Sequence, residues 1–225
     1  AMALGATGDP ENAYKAGLLI GREMRALGPN FNFAPTVDVN SNRTNPVIGV
    51  RSYSDDPHQV ARFATRAVQG FLDGGVMCTA KHFPGHGDTD VDSHLALPCV
   101  DKSLEELEQV DLIPFQAAIE ADVTAIMTAH ILYPQIEPDS VPATMSRKIV
   151  HGILREKLGY QGIIISDCME MAAIAAMYGI SNGTLAAFKA DVDLVEITHH
   201  PLWCAEAAVR VLEAAEAGEL DMDEM

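Results

Sequence analysis

The chain has 225 residues, 48% of them hydrophobic, enough to bury one sizeable core. Its formal net charge of -17 and pI near 4.6 would repel phosphate backbones and anionic lipid, which argues against nucleic-acid or membrane-surface partners. Cys78, Cys99, Cys168 and Cys204 lie far apart without CxxC spacing, and they read as scattered core thiols of a reducing, cytoplasmic compartment. No apolar run approaches the length of a membrane span.

In chain order, Asp9-Pro10 predicts a helix start, with Asp as the cap and Pro in the first turn. Ala16, Ile20, Met24 and Leu27 then recur at helical spacing, and Gly28 stops the helix. FNFAPTVDV at 31–39 reads as a strand. Asp56-Pro57 opens a second helix with Val60, Phe63, Ala64, Ala67 and Phe71 on one face, and VMCTA at 76–80 is a short buried strand.

Ser103 and Glu106 form a capping box, and Pro114 breaks or kinks the segment that follows. VTAIMT at 123–128 is the third strand. Ser146 starts a helix carrying Ile149, Val150, Ile153, Leu154 and Leu158, closed by Gly159. GIIIS at 162–166 and VDLVEIT at 192–198 are the fourth and fifth strands, and the last helix covers Pro201 to Glu216.

Strands alternating with helices imply an α/β fold with a parallel sheet, and runs such as GIIIS imply strands covered on both faces. Neither GxGxxG nor a P-loop is present, which leaves a (β/α)8 TIM-type barrel as the better fit. Such barrels hold eight strands in roughly 250 residues. Five βα units fall short, so residues 1–225 read as one partial barrel domain whose N-terminal strands are missing. The exposed sheet edges would then be covered by that segment or by self-association.

Polar residues gather after each strand. Asp38 and Asn40 follow the first, Lys81 and His82 the second, His130 the third, Asp167 the fourth, and His199 and His200 the fifth. In a parallel barrel that end carries the active site. The segment KHFPGHGDTDVDSHLALP is the richest. It is open to three readings: a solvated loop, a metal site from His82, His86, His94 and Asp92, or an acid/base pair of Asp92 and His94. Asp167 is either a nucleophile at a strand end or the cap of the next helix. Arg51 either holds a ligand oxygen or pairs with Asp55 or Asp56, and from the residues alone the surface pair is favoured.

Together FNFAPTVDVNSNRTNPVIGVRSYSDDP, KHFPGHG followed by DSH, IMTAHI and GIIISDCMEM resemble the catalytic barrel of family 3 glycoside hydrolases, in its N-acetylglucosaminidase branch. The resemblance implies a retaining glycosidase acting on terminal N-acetyl-β-D-glucosaminides, with peptidoglycan fragments as the natural source, and without cofactor or metal. Asp167 corresponds to the nucleophile, His94 to the general acid/base and Asp92 to its dyad partner. Arg51, Lys81 and His82 correspond to residues that bind the sugar, while His86 and Asp88 have a structural role. Phosphorolysis at the same site and an inactive sugar-binding remnant are the alternatives. The chain departs from the family pattern at Ala190-Asp191, where Ala-Gly is usual, and at Glu196 within a buried strand.

Overall fold

The computed structural model describes residues 1–90 and 97–220. Four parallel strands form one sheet in sequential order: β1 (Phe31–Asn32), β2 (Met77–Phe83), β3 (Ala125–Thr128) and β4 (Ile163–Ile165). Helices α1 (Met2–Gly5) and α2 (Glu11–Leu27) precede the sheet. The crossovers are α3 (Pro57–Asp73), then α4 (Leu104–Gln109) with α5 (Leu112–Glu120), then a wide helix with i→i+5 turns over Lys148–Lys157. After β4 come α6 (Ala172–Tyr178), α7 (Ile180–Lys189) and α8 (Pro201–Glu216). The expected α/β class and parallel sheet are therefore present.

The outer strands are shorter than their apolar runs suggest. Residues 31–39 stay beside β2, with Val37 N–H donating to Lys81 O at 2.8 Å, yet ladder pairing covers only Phe31–Asn32 plus a bridge at Thr36. Pro35, with no N–H to donate, interrupts it. Of the expected fifth strand only a bridge between Leu194 and Ile165 forms. That segment has a hydrogen-bonding neighbour on one side alone among the described residues, and Ser166 Oγ, a side chain, takes the Glu196 N–H at 2.9 Å.

Local signals explain three of the helix starts. Asp56 Oδ1 accepts from His58 N and Gln59 N, with Pro57 in the first turn of α3. The Ser103–Glu106 capping box is formed. The break expected at Pro114 falls instead at Val110-Asp111, and Pro114 sits in the first turn of α5, where a missing N–H costs nothing. Asp9 Oδ1 accepts the Glu11 N–H at 3.0 Å and so starts α2 as expected.

The stripe through Ala16, Ile20, Met24 and Leu27 does not make the contact face of α2. Ile20 and Leu27 are exposed, while Ala13, Gly17 and Gly21 are buried. Gly17 meets the α3 backbone at Ala67, Gly70 and Phe71, and Gly21 meets Phe71 and the Gly74 that ends α3, so the two backbones touch with no side chain between them. The thiols also depart from expectation: Cys78 is buried, but Cys99 and Cys204 are exposed, and all four are free.

The main core lies between sheet and helices, from Val60, Phe63 and Phe71 to Phe115, Leu154 and Ile164. On the opposite face of the sheet Ala125, Met127 and Ile165 form a smaller cluster with Phe31 and Ile163. Strand alternation assigns Thr79 and Lys81 to that face, since Cys78 and Ala80 belong to the helix-side core.

A Cβ on Gly70 would lie 2.2 Å from the Tyr14 carbonyl oxygen, an unyielding backbone atom, whereas one on Gly152 would meet nothing closer than 3.9 Å. Gly70→Ala is therefore expected to lower stability in urea denaturation by about 1–3 kcal/mol. Gly152→Ala should be neutral or stabilising by up to ~1 kcal/mol. Equal effects would mean that the α2–α3 approach is not what glycine serves.

Candidate active site

The site is assembled at the carboxyl ends of β2, β3 and β4 around Asp38. This aspartate follows the first strand segment and is 1% exposed. Its Oδ1 accepts the N–H of His86 at 2.7 Å and that of His82 at 3.1 Å. Its Oδ2 lies 2.8 Å from His82 Nδ1. Burial opposes the Asp38 charge, but the His82 ring and the His86 contacts outweigh it and hold the carboxyl below its ordinary range. Sequence reasoning noted Asp38 but gave it no role; the only signal was an acid inside an apolar run.

Asp38 fixes His82. With Nδ1–H given to the carboxylate, His82 Nε2 faces the Arg51 guanidinium, whose Nη2 is 3.5 Å away. Arg51 also donates to the Val47 carbonyl at 3.2 Å. The surface pairing with Asp55 or Asp56 is not formed: Asp56 caps α3 and the guanidinium turns inward. A register shift in β2 between Lys81 and Phe83 lets consecutive residues Lys81 and His82 both address this region.

Asp167 extends the 163, 165 alternation of β4 on the same face as Lys81. Burial would raise its carboxyl, but the nearby His82, His130, the Cys168 N–H and Lys81 together bring it below the ordinary range. The helix-cap reading of Asp167 is overturned: its Oδ1 accepts from Cys168 N at 2.8 Å, and α6 starts only at Ala172. Lys81 is lowered by burial, partly offset by Asp167, Asp38 and Glu196.

His130 anchors the neighbouring strand. Its Nδ1 is 2.9 Å from Thr144 Oγ1, and its Nε2 is 3.1 Å from the Cys168 carbonyl, which ties the end of β3 to the turn that holds Asp167. Burial lowers its pKa, against the pull of the Asp167 charge, and its Nε2–H donates to that carbonyl. Glu196 is the member that its sequence flagged only as odd. Alternation with Val195 and Ile197, which pack against the core, turns it toward Lys81 and Asp167. Burial and the Asp167 charge push its carboxyl up to about 7, against the pull of Lys81.

The Gly-rich loop is held up to Thr89. Asn45 Nδ2 donates to the His86 carbonyl at 2.8 Å, and Asn42 N to the Gly87 carbonyl at 3.2 Å. His86 Nδ1 is 2.9 Å from Thr89 Oγ1. Asp88 Oδ2 lies 3.1 Å from Lys102 Nζ, which also binds Asp111 at 2.8 Å. These contacts agree with structural roles for His86 and Asp88. The Nδ1 atoms of His82 and His86 are both engaged in hydrogen bonds. Asp92 and His94 lie outside the described residues.

The profile described as "Glycosyl hydrolase family 3 N terminal domain" matches residues 1–225. The chain belongs to glycoside hydrolase family 3. It is 44% identical over 207 residues to "Beta-hexosaminidase A" of Pseudoalteromonas piscicida, an alignment covering 86% of this chain and 35% of that protein. It is 41% identical over 192 residues to "Beta-hexosaminidase" of Xylella fastidiosa (strain M23), covering 85% and 56%. Among solved structures, a glycoside hydrolase family 3 beta-N-acetylglucosaminidase from Paenibacillus sp. str. FPU-7 superposes with a TM-score of 0.97 at 49% identity, over 99% of this chain and 42% of that one. The chain thus spans well under two thirds of each of these proteins, and the TIM-type α/β architecture follows from the family and the superposition.

Asp38→Ala would strand two backbone N–H groups and a ring N–H in a buried space, and should cost about 3–5 kcal/mol by chemical denaturation. Glu196 gives the pH signature. Between its ordinary value of 4.5 and about 7 the folded chain keeps a proton that the unfolded chain has released. Its contribution to stability therefore declines as pH rises through that window. The thermal midpoint of Glu196→Gln should fall less between pH 5 and pH 8 than that of the wild type; parallel curves would remove Glu196 from the buried charge cluster.

Proposed function

We propose that this chain is the catalytic part of a retaining β-N-acetylglucosaminidase that hydrolyses terminal N-acetyl-β-D-glucosaminides. The observation that carries the reading is Asp167: a half-buried carboxylate at a strand's carboxyl end, kept ionised among Lys81, His82 and His130. A nucleophile for glycosyl transfer must be anionic at neutral pH and screened from bulk water, and this environment supplies both. The names carried by the relatives point to the same substrate class.

In the proposed reaction Asp167 attacks the anomeric carbon while His94, as imidazolium, gives its proton to the departing oxygen. The glycosyl–Asp167 ester forms as the glycosidic bond breaks. Neutral His94 then takes a proton from water, the resulting hydroxide displaces Asp167, and the sugar leaves with retained configuration. Asp92 fixes the His94 tautomer and supports its charge. Arg51, Lys81 and His82 hold the sugar hydroxyls and the N-acetyl face, with His82 aimed by Asp38. The assignments to His94 and Asp92 rest on the DSH motif.

The proposal extends to architecture and setting. Further βα units pair with the edges at β1 and at the 192–198 segment and complete the barrel. The exposed Leu202, Val209 and Leu212 of α8 support this, being apolar side chains that such a neighbour would cover. Peptidoglycan turnover in the cytoplasm is the proposed context. No described helix is long and apolar enough to cross a membrane.

Asp167→Asn should lower turnover of an aryl N-acetyl-β-glucosaminide on the order of a thousandfold or more without unfolding the chain. A slow 2- or 5-fluoro sugar should label Asp167 in the wild type, and a label on any other residue would sink the assignment. Replacing His94 with Gly should impair substrates with basic leaving groups far more than activated aryl glycosides, because only the former need a proton on departure. Equal losses across leaving groups would assign the loop a structural role. Product analysis with and without added phosphate distinguishes hydrolysis from phosphorolysis.

A further inference from the structure

Beside the proposed nucleophile lies a second group of reactive side chains that the glycosidase chemistry does not use. The turn after β4 carries Cys168 and Glu170, and the segment before α8 carries Thr198, His199 and His200. The two stretches are tied together: Met169 N donates to the Glu196 carbonyl at 2.9 Å, and Glu170 Oε2 accepts from Thr198 N at 2.8 Å and from His199 N at 2.5 Å. Around that oxygen sit His199 Nδ1 at 3.0 Å and Cys168 Sγ at 3.8 Å. All three donor atoms lie within 4.8 Å of one another.

We propose that Cys168, Glu170 and His199 form a binding site for a thiophilic divalent cation of the zinc type. The spacing fits. With metal–donor bonds of about 2.0–2.3 Å, donors on a tetrahedral centre stand roughly 3.3–3.6 Å apart, and 3.0 and 3.8 Å bracket that range. The donor chemistry selects the ion. A thiolate, an imidazole and one carboxylate oxygen suit zinc or cobalt, whereas magnesium and calcium require mostly oxygen donors.

Much of the arrangement is already in place. The two backbone N–H groups hold the Glu170 carboxylate, and its side chain is 5% exposed. Its other oxygen, Oε1, is oriented by His200 Nδ1 at 2.6 Å, the kind of outer contact that stiffens a ligating carboxylate. The His199 ring is largely exposed, so its proton moves to the solvent-facing Nε2 and the Nδ1 lone pair turns to the cation. The Cys168 thiol gives up its proton to solvent on binding. Three protein donors leave a fourth position for water, and the cation would clasp the turn holding Asp167 to the segment leading into α8.

The test uses the full polypeptide, stripped with a chelator and titrated with cobalt(II). A thiolate-to-cobalt charge-transfer absorption is expected at one equivalent, displaced by zinc and unaffected by magnesium. It should vanish in Cys168→Ser, persist in Cys204→Ser, and need more than about tenfold higher cobalt in His199→Ala. The last removes an exposed side chain and should not disturb folding. Zinc should raise the thermal midpoint of the wild type but not of Cys168→Ser. Absence of the charge-transfer band, or its survival in Cys168→Ser, overturns the proposal. These readouts do not involve turnover, so this site and the glycosidase reading can fail independently.

Discussion

The site depends on a single buried carboxylate. Asp38 is closed off from water and binds the backbone N–H groups of His82 and His86 together with the His82 ring. A desolvated charge of this kind is costly unless every lone pair is met. Meeting them forces the strand end and the loop into one arrangement. The direction of His82, the approach of Arg51, and the path of the Gly-rich loop as far as Thr89 all follow from that requirement.

A second constraint acts through charge balance. Lys81 stands among Asp38, Asp167 and Glu196, and the competition decides which acid stays ionised. Asp167 wins because His82, His130 and a backbone N–H also favour its charge. Glu196 has fewer such partners and is pushed toward protonation near neutrality. Two carboxyl groups in one region thus reach opposite states through their surroundings alone.

Packing behind the site follows similar economy of space. α2 and α3 meet through glycines, so their backbones are in contact, and α3 is pressed on the sheet by Val60, Phe63 and Ala64. The short face cluster of Ala125, Met127 and Ile165 fills the other side of the sheet beneath the polar groups. The polar residues are thus carried on strand ends whose positions are set by apolar contacts on both faces, which is how a site made of hydrophilic groups is kept rigid.

The sequence by itself determined the alternation of strands and helices, the caps at Asp56 and Ser103, and the core face of α3, because each depends on residues within a few positions of one another. It also placed Lys81, His82 and Asp167 at strand ends, and the KHFPGHG and DSH motifs pointed to the family. Only tertiary structure decided the rest. Pro114 lost its apparent role as a breaker once a new helix began just before it. Arg51 turned inward because His82, 31 residues away in the chain, offered a ring nitrogen. The glycine face of α2 prevailed over its apolar stripe because burial depends on what the opposite helix presents. Asp38 became the hub only when β2 was laid beside it, since an acid in an apolar run acquires its meaning from donors that arrive from elsewhere in the chain.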